Sequence, residues 1–573
     1  MRLMIRRILT LTLLGLVVGC VVGLLAVGFV EAILWLNRQF FLAPGVRESA
    51  TSDAAATALT IGVPAVGGLI VGLLRTLMPE RRFQGPQDVI EIAHAPNPTM
   101  PVRRGFLSTL AAGISLGSGA SVGQYGPLAH MGAWIASWIS RTSRLDPSLG
   151  VISIACGCAA AISAAFHAPI AGLVFSREVI LRNYSLRAFA PIAVASILGY
   201  VVDHVVFKRQ PLFRVDELII ASPWEYLVFI AIGIAGAVVA TVFMRAVEFA
   251  GRLSSKLNLP VPVKTALAGL ALGIVALEIP DVLGIGQDAL RAALDGNVFG
   301  AVDLAQLLIA KLLLTALCLG FGFAGGVFSP ALLIGALFGA LVGTGAEWLV
   351  GDQHSPIAVY AVCGMVAVAG PVIGAPLTTV LIIFELTQNF DLATAALASV
   401  AFANLIGYRI YGQSFFDTQL QARGFDLRLG RDKVTAQQHS IRQLVSPDYT
   451  EIDAVQTLRE TRDALISDGR SEAYVVDSDR QYVGTLSLHR LLELTSTGTL
   501  PDAAAGDHAV PEALILGPDE SIWAAMSQTQ DFVGESIPVV DDKRLVGVLY
   551  ESTVVSEYLD LLGNIRKEEH AAV

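Results

Sequence analysis

Gly123-Gln124-Tyr125-Gly126-Pro127 and Gly326-Val327-Phe328-Ser329-Pro330 are two copies of one pattern, 203 positions apart. Each proline is followed five residues later by a glycine, and each copy continues into an Ala-Pro pair with a glutamate ten residues after the alanine: Gly132, Ala168-Pro169 and Glu178 in the first, Gly335, Ala375-Pro376 and Glu385 in the second. Apolar segments broken by Gly and Pro at matching places in two halves indicate a transport site built from interrupted helices. The duplication therefore predicts that a solute crosses a membrane through this chain.

The composition supports a polytopic membrane protein. Hydrophobic residues make up 54% of the chain and charged residues 15%. Apolar runs at 8–30, 54–74, 226–244 and 304–323 meet the length of about 20 residues that a membrane-spanning helix requires. Many other apolar runs are shorter or broken by Gly and Pro, which is tolerated at membrane depth only where protein or a polar cavity surrounds the backbone.

The charge is distributed unevenly along the chain. Residues 440–573 carry 24 acidic and 10 basic side chains, whereas the rest of the chain has a net charge of +4. An acidic segment after a slightly basic, apolar body indicates a water-exposed domain and argues against a nucleic-acid partner. Arg2, Arg6 and Arg7 before the first apolar run predict an uncleaved first helix with a cytoplasmic N-terminus.

The acidic segment contains two similar units 64 residues apart. In each, two short β-like runs joined by an Asp-containing turn precede a helix-like run, as in 473–494 and 537–559. This pattern resembles a tandem pair of CBS domains. Many such pairs bind adenine nucleotides through an Asp six residues after a glycine, but the matching positions here are Arg490 and Thr553. We therefore expect no nucleotide cofactor and a structural or dimer-stabilising role.

The motifs of the apolar body resemble those of the CLC family of chloride channels and proton-coupled chloride antiporters. The resemblance spans residues 8 to about 425 and rests on four segments in order: 117–127, 168–172, 326–330 and 385–387. It implies a homodimer in the lipid bilayer, with one pathway per subunit for chloride or similar small anions. It also implies an inverted repeat of about 16 to 18 full and partial α-helices, followed by a cytoplasmic α/β CBS pair.

A dehydrated anion is stabilised by partial positive charge, which the free N–H groups and the dipole at a helix N-terminus supply. Glycines let the backbone approach an ion, and prolines suit the first turn of a helix. The predicted anion-binding pathway consists of Gln84, Gly85, Gly123, Gln124, Tyr125, Gly126, Pro127, Gly326, Val327, Phe328 and Phe416.

Two departures from the family pattern concern protons. Tyr125 stands where the family has a gating glutamate, and a phenol with an unperturbed pKa of about 10 does not replace a carboxylate near neutral pH. At the predicted inner mouth, Glu178 is followed by Val179, whereas the family's antiporters have a second glutamate. Both proton stations of the antiporters are thus absent, and we predict a passive, proton-uncoupled chloride channel with Tyr125 as its gate.

Two further departures concern the central ion. Phe416 aligns with the family's pathway tyrosine, and Gln84 aligns with its pathway serine. A phenol lost at Phe416 and gained at Tyr125 suggests that the Tyr125 hydroxyl donates to the anion from the outer side, and Gln84 has amide hydrogens to donate. A Tyr125 that acts only as an apolar plug is an equally weighted alternative.

The remaining ionisable residues leave alternatives open. Glu385 is expected to be structural, Glu178 and Arg177 to steer or gate ions, and His130 and His167 to be satisfied helix histidines. The second functional prediction is an antiporter whose proton path uses Glu178 or His167; the third is a transporter or sensor of another class that shares only the tail. The sequence shows no nucleophile–base pair, phosphate loop or metal cluster, so we expect neither enzymatic activity nor a metal site.

The predicted domain boundaries follow from these patterns. The membrane domain covers 1–412, with inverted halves at about 8–207 and 224–412, and a polar linker covers 413–440. CBS-like domains follow at 441–499 and 505–562, with a tail at 563–573. A plasma (inner) membrane location with a cytoplasmic CBS pair is expected.

Overall fold

The computed structural model describes residues 2–40, 54–95, 98–143, 149–182, 186–209, 219–296, 298–350, 354–426, 433, 436–437, 439–496, 502–511, 514–529, 532 and 534–570. The chain divides into two compact units, Met1–Phe425 and Asp426–Val573. The segment 413–440, which was predicted to be a polar linker, is not a single linker in the structure. Phe415, Phe416 and Leu420 are buried in the first unit, while 427–432, 434–435 and 438 lie outside the described residues.

The first unit is entirely helical in its described residues. Its first half contains α1 (Arg2–Gln39), α2 (Ala54–Thr76), α3 (Pro86–Ala93), α4 (Val102–Gly117), α5 (Tyr125–Thr142), α6 (Gly150–Phe166), α7 (Pro169–Phe175) and α8 (Leu186–Tyr200). Its second half contains α9 (Glu225–Lys256), α10 (Val261–Val275), α11 (Gln287–Asp295), α12 (Ala301–Phe321), α13 (Phe328–Val350), α14 (Ile357–Ile373), α15 (Pro376–Thr387), α16 (Phe390–Ile410) and α17 (Phe415–Gln421). Short π-helical turns at Ser176–Leu181 and Val201–Val206 extend α7 and α8.

Among the described residues, seven helices are long and apolar enough to cross a membrane. Shorter apolar helices, including α6, α10, α14 and α15, lie between them. The breaks between helices fall where the sequence places glycine and proline. Thus α7 and α15 each begin with the proline of an Ala-Pro pair, since proline fits the first helical turn.

The two halves pack in the same way at the helices that follow the duplicated motif. Helix α5 crosses α6, and α13 crosses α14. Each crossing places two glycines in direct contact: Gly132 against Gly157 in the first half, and Gly335 against Gly364 in the second. A Cβ at Gly335 would lie 2.4 Å from the carbonyl oxygen of Gly364, so the backbones meet at a distance that no side chain permits.

A glutamate of each half also binds the N-terminus of a helix in the other half. The Glu178 carboxylate, just after α7, accepts from the backbone N–H groups of Leu377 (3.0 Å) and Thr378 (2.9 Å) at the start of α15. The Glu385 carboxylate, on α15, accepts from the N–H groups of Ile170 (2.8 Å) and Ala171 (2.7 Å) at the start of α7. A carboxylate at a helix N-terminus satisfies free donors and complements the helix dipole. Each half therefore caps a helix of the other.

The second unit contains two similar α/β parts. In the first, β1 (Thr450–Asp453) pairs in parallel with β2 (Glu472–Val476), which pairs antiparallel with β3 (Tyr482–Ser487). Helices α18 (Leu458–Asp468) and α19 (Leu488–Ser496) complete this part. The second part has α20 (Ile522–Gln528), an antiparallel pair of β4 (Ile537–Asp541) and β5 (Arg544–Leu549), and α21 (Glu551–His570).

The repetition extends to the register of the strands. Leu516 bridges Val539 of β4 in parallel, at the place that β1 takes beside β2 in the first part. The parts touch at Glu472, whose carboxylate accepts from the backbone N–H groups of Glu535 and Ser536 at 3.3 Å each. Burial raises the pKa of this carboxyl group. The arrangement is consistent with a CBS pair, which stays a prediction.

We predict that Gly335→Ala destabilises the protein by about 1–3 kcal/mol, because the added methyl group overpacks the contact with Gly364. Gly345→Ala in the same helix is the matched control, since nothing lies within 4 Å of a Cβ there. Thermal unfolding of both purified variants is the measurement. Equal melting temperatures for the two variants would contradict the close crossing.

We further predict that Glu385→Gln lowers the stability of the protein by about 1–3 kcal/mol, because an amide replaces one of the two accepting carboxylate oxygens with a donor. Glu178→Gln should have a similar effect through α15. Glu347→Gln, at an exposed carboxylate on α13, is the control. Hydrogen exchange at the first turns of α7 and α15 measures the effect locally; unchanged protection there in both variants rules out the reciprocal caps.

Candidate functional site

Gly123 and Gly326 hold the two copies of the motif together. The N–H of Gly123 donates to the carbonyl of Gly326 at 2.7 Å, and the N–H of Gly326 donates to the carbonyl of Gly123 at 2.8 Å. A Cβ at Gly123 would lie 2.7 Å from the Gly326 oxygen, which explains the glycine. This two-residue antiparallel bridge joins the halves at the point where α5 and α13 begin.

The N-termini of α5 and α13 consequently converge. Tyr125 is the first residue of α5 and Phe328 is the first residue of α13. The first-turn N–H groups of a helix have no helical acceptor, so both ends present donors and positive dipole ends to the same region. The Gln124 N–H is already used, because it donates to the Ser329 hydroxyl at 3.2 Å.

Three aromatic rings close the space between these helix ends. The Tyr125 ring stacks on Phe166 with centroids 3.7 Å apart, and Phe328 lies 5.6 Å from Tyr125 and 5.3 Å from Phe166. A cavity of about 10 Å³ remains beside them, also bordered by Phe416. That volume is about the minimum for one water molecule, so the pathway is closed here.

The Tyr125 hydroxyl is buried, and its interaction with the adjacent Gln124 side chain does not have the geometry of a full hydrogen bond. The Gln124 side-chain oxygen has no other partner among the described residues. A buried hydroxyl that is poorly paired loses free energy, and an anion beside it would accept its hydrogen. The predicted gate residue therefore lies at the constriction with a donor that is not fully used.

On one side of the constriction lies a cavity of about 270 Å³, which we call the first vestibule. Gln84, Gly85, Pro127, Gly326, Val327 and Phe416 line it. Three arginines, Arg75, Arg82 and Arg423, also line it, and no Asp or Glu among the described residues does so. The lining is therefore cationic, although Glu80 and Glu91 behind it pair with Arg82 at 2.9 Å and with Arg423 at 3.1 Å.

Two of the vestibule arginines, Arg82 and Arg423, are held by Asp88 on α3. Asp88 on α3 is 2% exposed and lies 2.5 Å from Arg82 and 3.1 Å from Arg423. The same carboxylate accepts from the Gly85 N–H at 2.7 Å, and the Gln84 N–H donates to the Ser108 hydroxyl at 3.0 Å. The backbone N–H groups of Gln84 and Gly85 are thus both occupied. Gln84 can therefore contact an ion only through its side-chain amide, whose oxygen is buried and has no partner among the described residues.

On the other side lies a cavity of about 440 Å³, the second vestibule. Gln124, His167 and Arg209 line it together with side chains of both charges. Arg209 lies 3.1 Å from the buried Asp203 and 3.0 Å from Glu31, and His167 Nε2 lies 2.9 Å from Asp203. The lining of the second vestibule therefore carries mixed charges, unlike that of the first.

Glu178 and Val179 are placed away from these cavities. Neither lines the first or the second vestibule. Glu178 is occupied at α15, and Val179 is 2% exposed in the π-helical turn. Arg177, predicted to act with Glu178, lies over the Phe189 ring at 5.7 Å. The action of Glu178 on ions at an inner mouth stays a prediction.

Sequence reasoning missed several residues of this site. Phe166 is the clearest, since it stacks on the predicted gate; its place next to His167-Ala168-Pro169 was the available signal. Asp203 and Arg209 were not found because they lie outside every motif. Asp88 was also missed, although its position three residues after Gly85 is typical of a helix N-terminal cap.

The chain was compared with known proteins. The family model described as voltage gated chloride channel matches residues 66–408. A putative chloride channel protein ClcB-like of Ralstonia nicotianae is 30% identical over 65% of this chain and 88% of its own length. The voltage-gated ClC-type chloride channel ClcB of Shigella flexneri is 27% identical over 70% of this chain and 97% of its own length.

Solved structures share the fold. A slow cyanobacterial Cl⁻/H⁺ antiporter superposes with a TM-score of 0.64 at 23% identity, over 72% of this chain and 97% of that one. A eukaryotic CLC transporter superposes with a TM-score of 0.64 at 20% identity, over 95% of this chain and 98% of that one. With its broken helices, paired motifs and multiple apolar spans, the chain is a multi-pass membrane protein that belongs to the voltage gated chloride channel (CLC) family.

Proposed function

We propose that this protein is a passive chloride channel in which anion movement is not coupled to protons. The observation that carries the proposal is the constriction, where a tyrosine rather than a carboxylate lies between the vestibules. A titratable carboxylate that swaps places with the anion is what an antiporter requires. The residues that border the constriction and the first vestibule include no Asp or Glu.

In this proposal, an anion collects in the arginine-lined first vestibule and passes the side chains of Gln84 and Phe416. It then reaches the first-turn donors of α5 and α13. Rotation of Tyr125 away from Phe166 and Phe328 opens the pathway to the second vestibule, and its hydroxyl donates to the passing ion. Chloride and similar small anions fit this set of neutral and cationic donors.

The assembly and orientation are also part of the proposal. We propose a homodimer with one pathway in each subunit, in the plasma (inner) membrane, with cytoplasmic termini. The acidic tail follows α17; Phe416 on α17 and Arg423 just after it line the first vestibule. A cytoplasmic tail would accordingly place the first vestibule on the cytoplasmic side and the second on the outer side.

A proton-coupled antiporter is the second candidate. The specific observations that favour it are His167, which lines the second vestibule beside Asp203, and the antiporters among proteins of similar fold. One of these is described as a Cl⁻/H⁺ antiporter and another as a fluoride/proton antiporter. Such a mechanism would need a proton path through the constriction that avoids Tyr125.

The mode of transport is tested with the purified full-length protein in liposomes loaded with chloride. We expect chloride efflux, once a potassium ionophore allows charge to be balanced, without uphill proton movement. A chloride electrode and a pH electrode record both fluxes in one vessel. Proton uptake in a fixed ratio to chloride, driven against its own gradient, would reject the channel in favour of the antiporter.

The role of Tyr125 is tested with Tyr125→Phe. Loss of a hydrogen bond to a charged ligand costs about 1.5–3 kcal/mol, so chloride affinity should fall about tenfold or more. Isothermal titration with chloride is the measurement. Tyr226→Phe, whose hydroxyl pairs with Thr394 at 2.8 Å away from the vestibules, is the control.

The apolar-plug alternative gives the opposite result. If Tyr125 only fills space, Tyr125→Phe should leave affinity and selectivity unchanged, and Tyr125→Ala should raise chloride flux. That pair of results would end the donor role while keeping Tyr125 as the gate.

A further inference from the structure

His167 has a left-handed backbone conformation, and the residue at the matching position of the second half is a glycine. His167 ends α6 with φ of 57°, and the matching residue at the end of α14, 207 positions later, is Gly374 with φ of 69°. Histidine is among the non-glycine residues that adopt this left-handed conformation most readily. Arg182 and Gln388 also end helices in it, so the case for a use of the imidazole rests on the surroundings of the ring.

The two ring nitrogens of His167 have different surroundings. Nε2 lies 2.9 Å from the Asp203 carboxylate, and Asp203 is fully buried. This contact is close enough for an ion pair but is not aligned as a hydrogen bond, since Asp203 Oδ2 has no hydrogen-bond partner among the described residues. With the ring proton on Nε2, toward this carboxylate, the neutral ring has its lone pair on Nδ1. Nδ1 is buried, and no described residue forms a hydrogen bond with it. His167 as a whole is 9% exposed and lines the second vestibule.

Protonation changes Nδ1 from a hydrogen-bond acceptor into a hydrogen-bond donor. The neutral ring offers a lone pair that repels an anion, whereas the imidazolium offers an N–H that an anion satisfies. The local charge changes as well, because Glu31, Asp203 and Arg209 form a chain of ion pairs with a net charge of −1 while His167 is neutral. A proton on His167 brings that cluster to zero.

The change occurs next to the closed constriction. His167 directly follows Phe166, the ring that stacks on Tyr125, and it shares the second vestibule with Gln124. One unit of charge within about 10 Å of an anion changes its occupancy by about tenfold at an effective dielectric constant of about 20.

Other charged and titratable groups surround this region. Among the described residues, the acidic groups of the second vestibule and of the elements packed on α6 and α7 are Glu31, Asp88, Glu91, Glu178, Asp203, Asp281, Asp288 and Glu385. The basic groups and phenols there are Arg38, Arg141, Arg177, Arg209, Arg291, His130, His204, Tyr125 and Tyr200. Asp203 contacts the His167 ring, and the exposed His204 ring lies 5.8 Å away, edge to face.

We propose that His167 is a proton-binding residue of the anion pathway, and that its protonated ring together with Arg209 forms an anion-binding site in the second vestibule. The proton comes from the solvent of that vestibule and stays on Nδ1. This deepens the proposed channel and rests on it, because the proton tunes anion occupancy without being carried across.

The test measures chloride affinity of the purified full-length protein by isothermal titration between pH 5 and pH 8. We expect the wild-type affinity to be about tenfold higher at the acidic end. His167→Asn should remove this pH dependence; asparagine is chosen because it tolerates the left-handed conformation. His204→Asn is the matched control and should keep the wild-type profile.

Asp203→Asn is a second variant that does not depend on how His167→Asn folds. It removes the charge of the carboxylate that Nε2 faces, so the pH profile of chloride affinity should differ from that of the wild type. The proposal would be overturned if the pH profile of chloride affinity were unchanged in both His167→Asn and Asp203→Asn. It would also be overturned if His204→Asn abolished that pH dependence.

Chloride and proton fluxes measured on the same samples distinguish a failure of this proposal from a failure of the proposed channel. A pH-independent wild-type affinity with normal chloride flux overturns the role of His167 and leaves the channel standing. The expected pH profile with uphill proton movement supports the His167 site and rejects the uncoupled channel.

Discussion

The pair of hydrogen bonds between Gly123 and Gly326 is the constraint on which the rest of the membrane unit depends. Two helices can point their N-termini at one place only if the chain segments before them come within backbone contact. Glycine at both positions permits that contact, and a side chain at Gly123 would collide with the facing carbonyl. The convergent dipoles, the aromatic constriction and the two vestibules all follow from where this bridge starts α5 and α13.

The electrostatics on the two sides of the constriction differ in kind. In the first vestibule, the charged side chains of the described lining are arginines, and carboxylates behind the lining pair with Arg82 and Arg423. In the second vestibule, side chains of both charges line the cavity, and His167 lies 2.9 Å from Asp203. An anion would therefore meet cationic groups on one side and mixed charges on the other.

Much of this arrangement was predictable from the sequence, because it is local and repeated. The positions of Pro127, Pro330, Pro169 and Pro376 indicated helix starts, and the structure begins or turns helices there. The pairing of Gly132 with Gly157 and of Gly335 with Gly364 was not predicted, since the motif gives only one member of each pair. Glu178 caps a helix 200 residues away, a contact that was not predicted, and its action at an inner mouth stays a prediction. Contacts at such separation have no signature in local spacing, and Asp203 and Arg209 were missed because they lie outside every motif.

The capping of α7 by Glu385 and of α15 by Glu178 has a consequence for biosynthesis. Glu385 is made 215 residues after the first turn of α7 that it caps. At a translation rate of about 5–20 residues per second, the N-terminal half waits about 10–40 seconds with those amide groups unsatisfied. The first half therefore cannot form this cap until the residues around Glu385 have been synthesised.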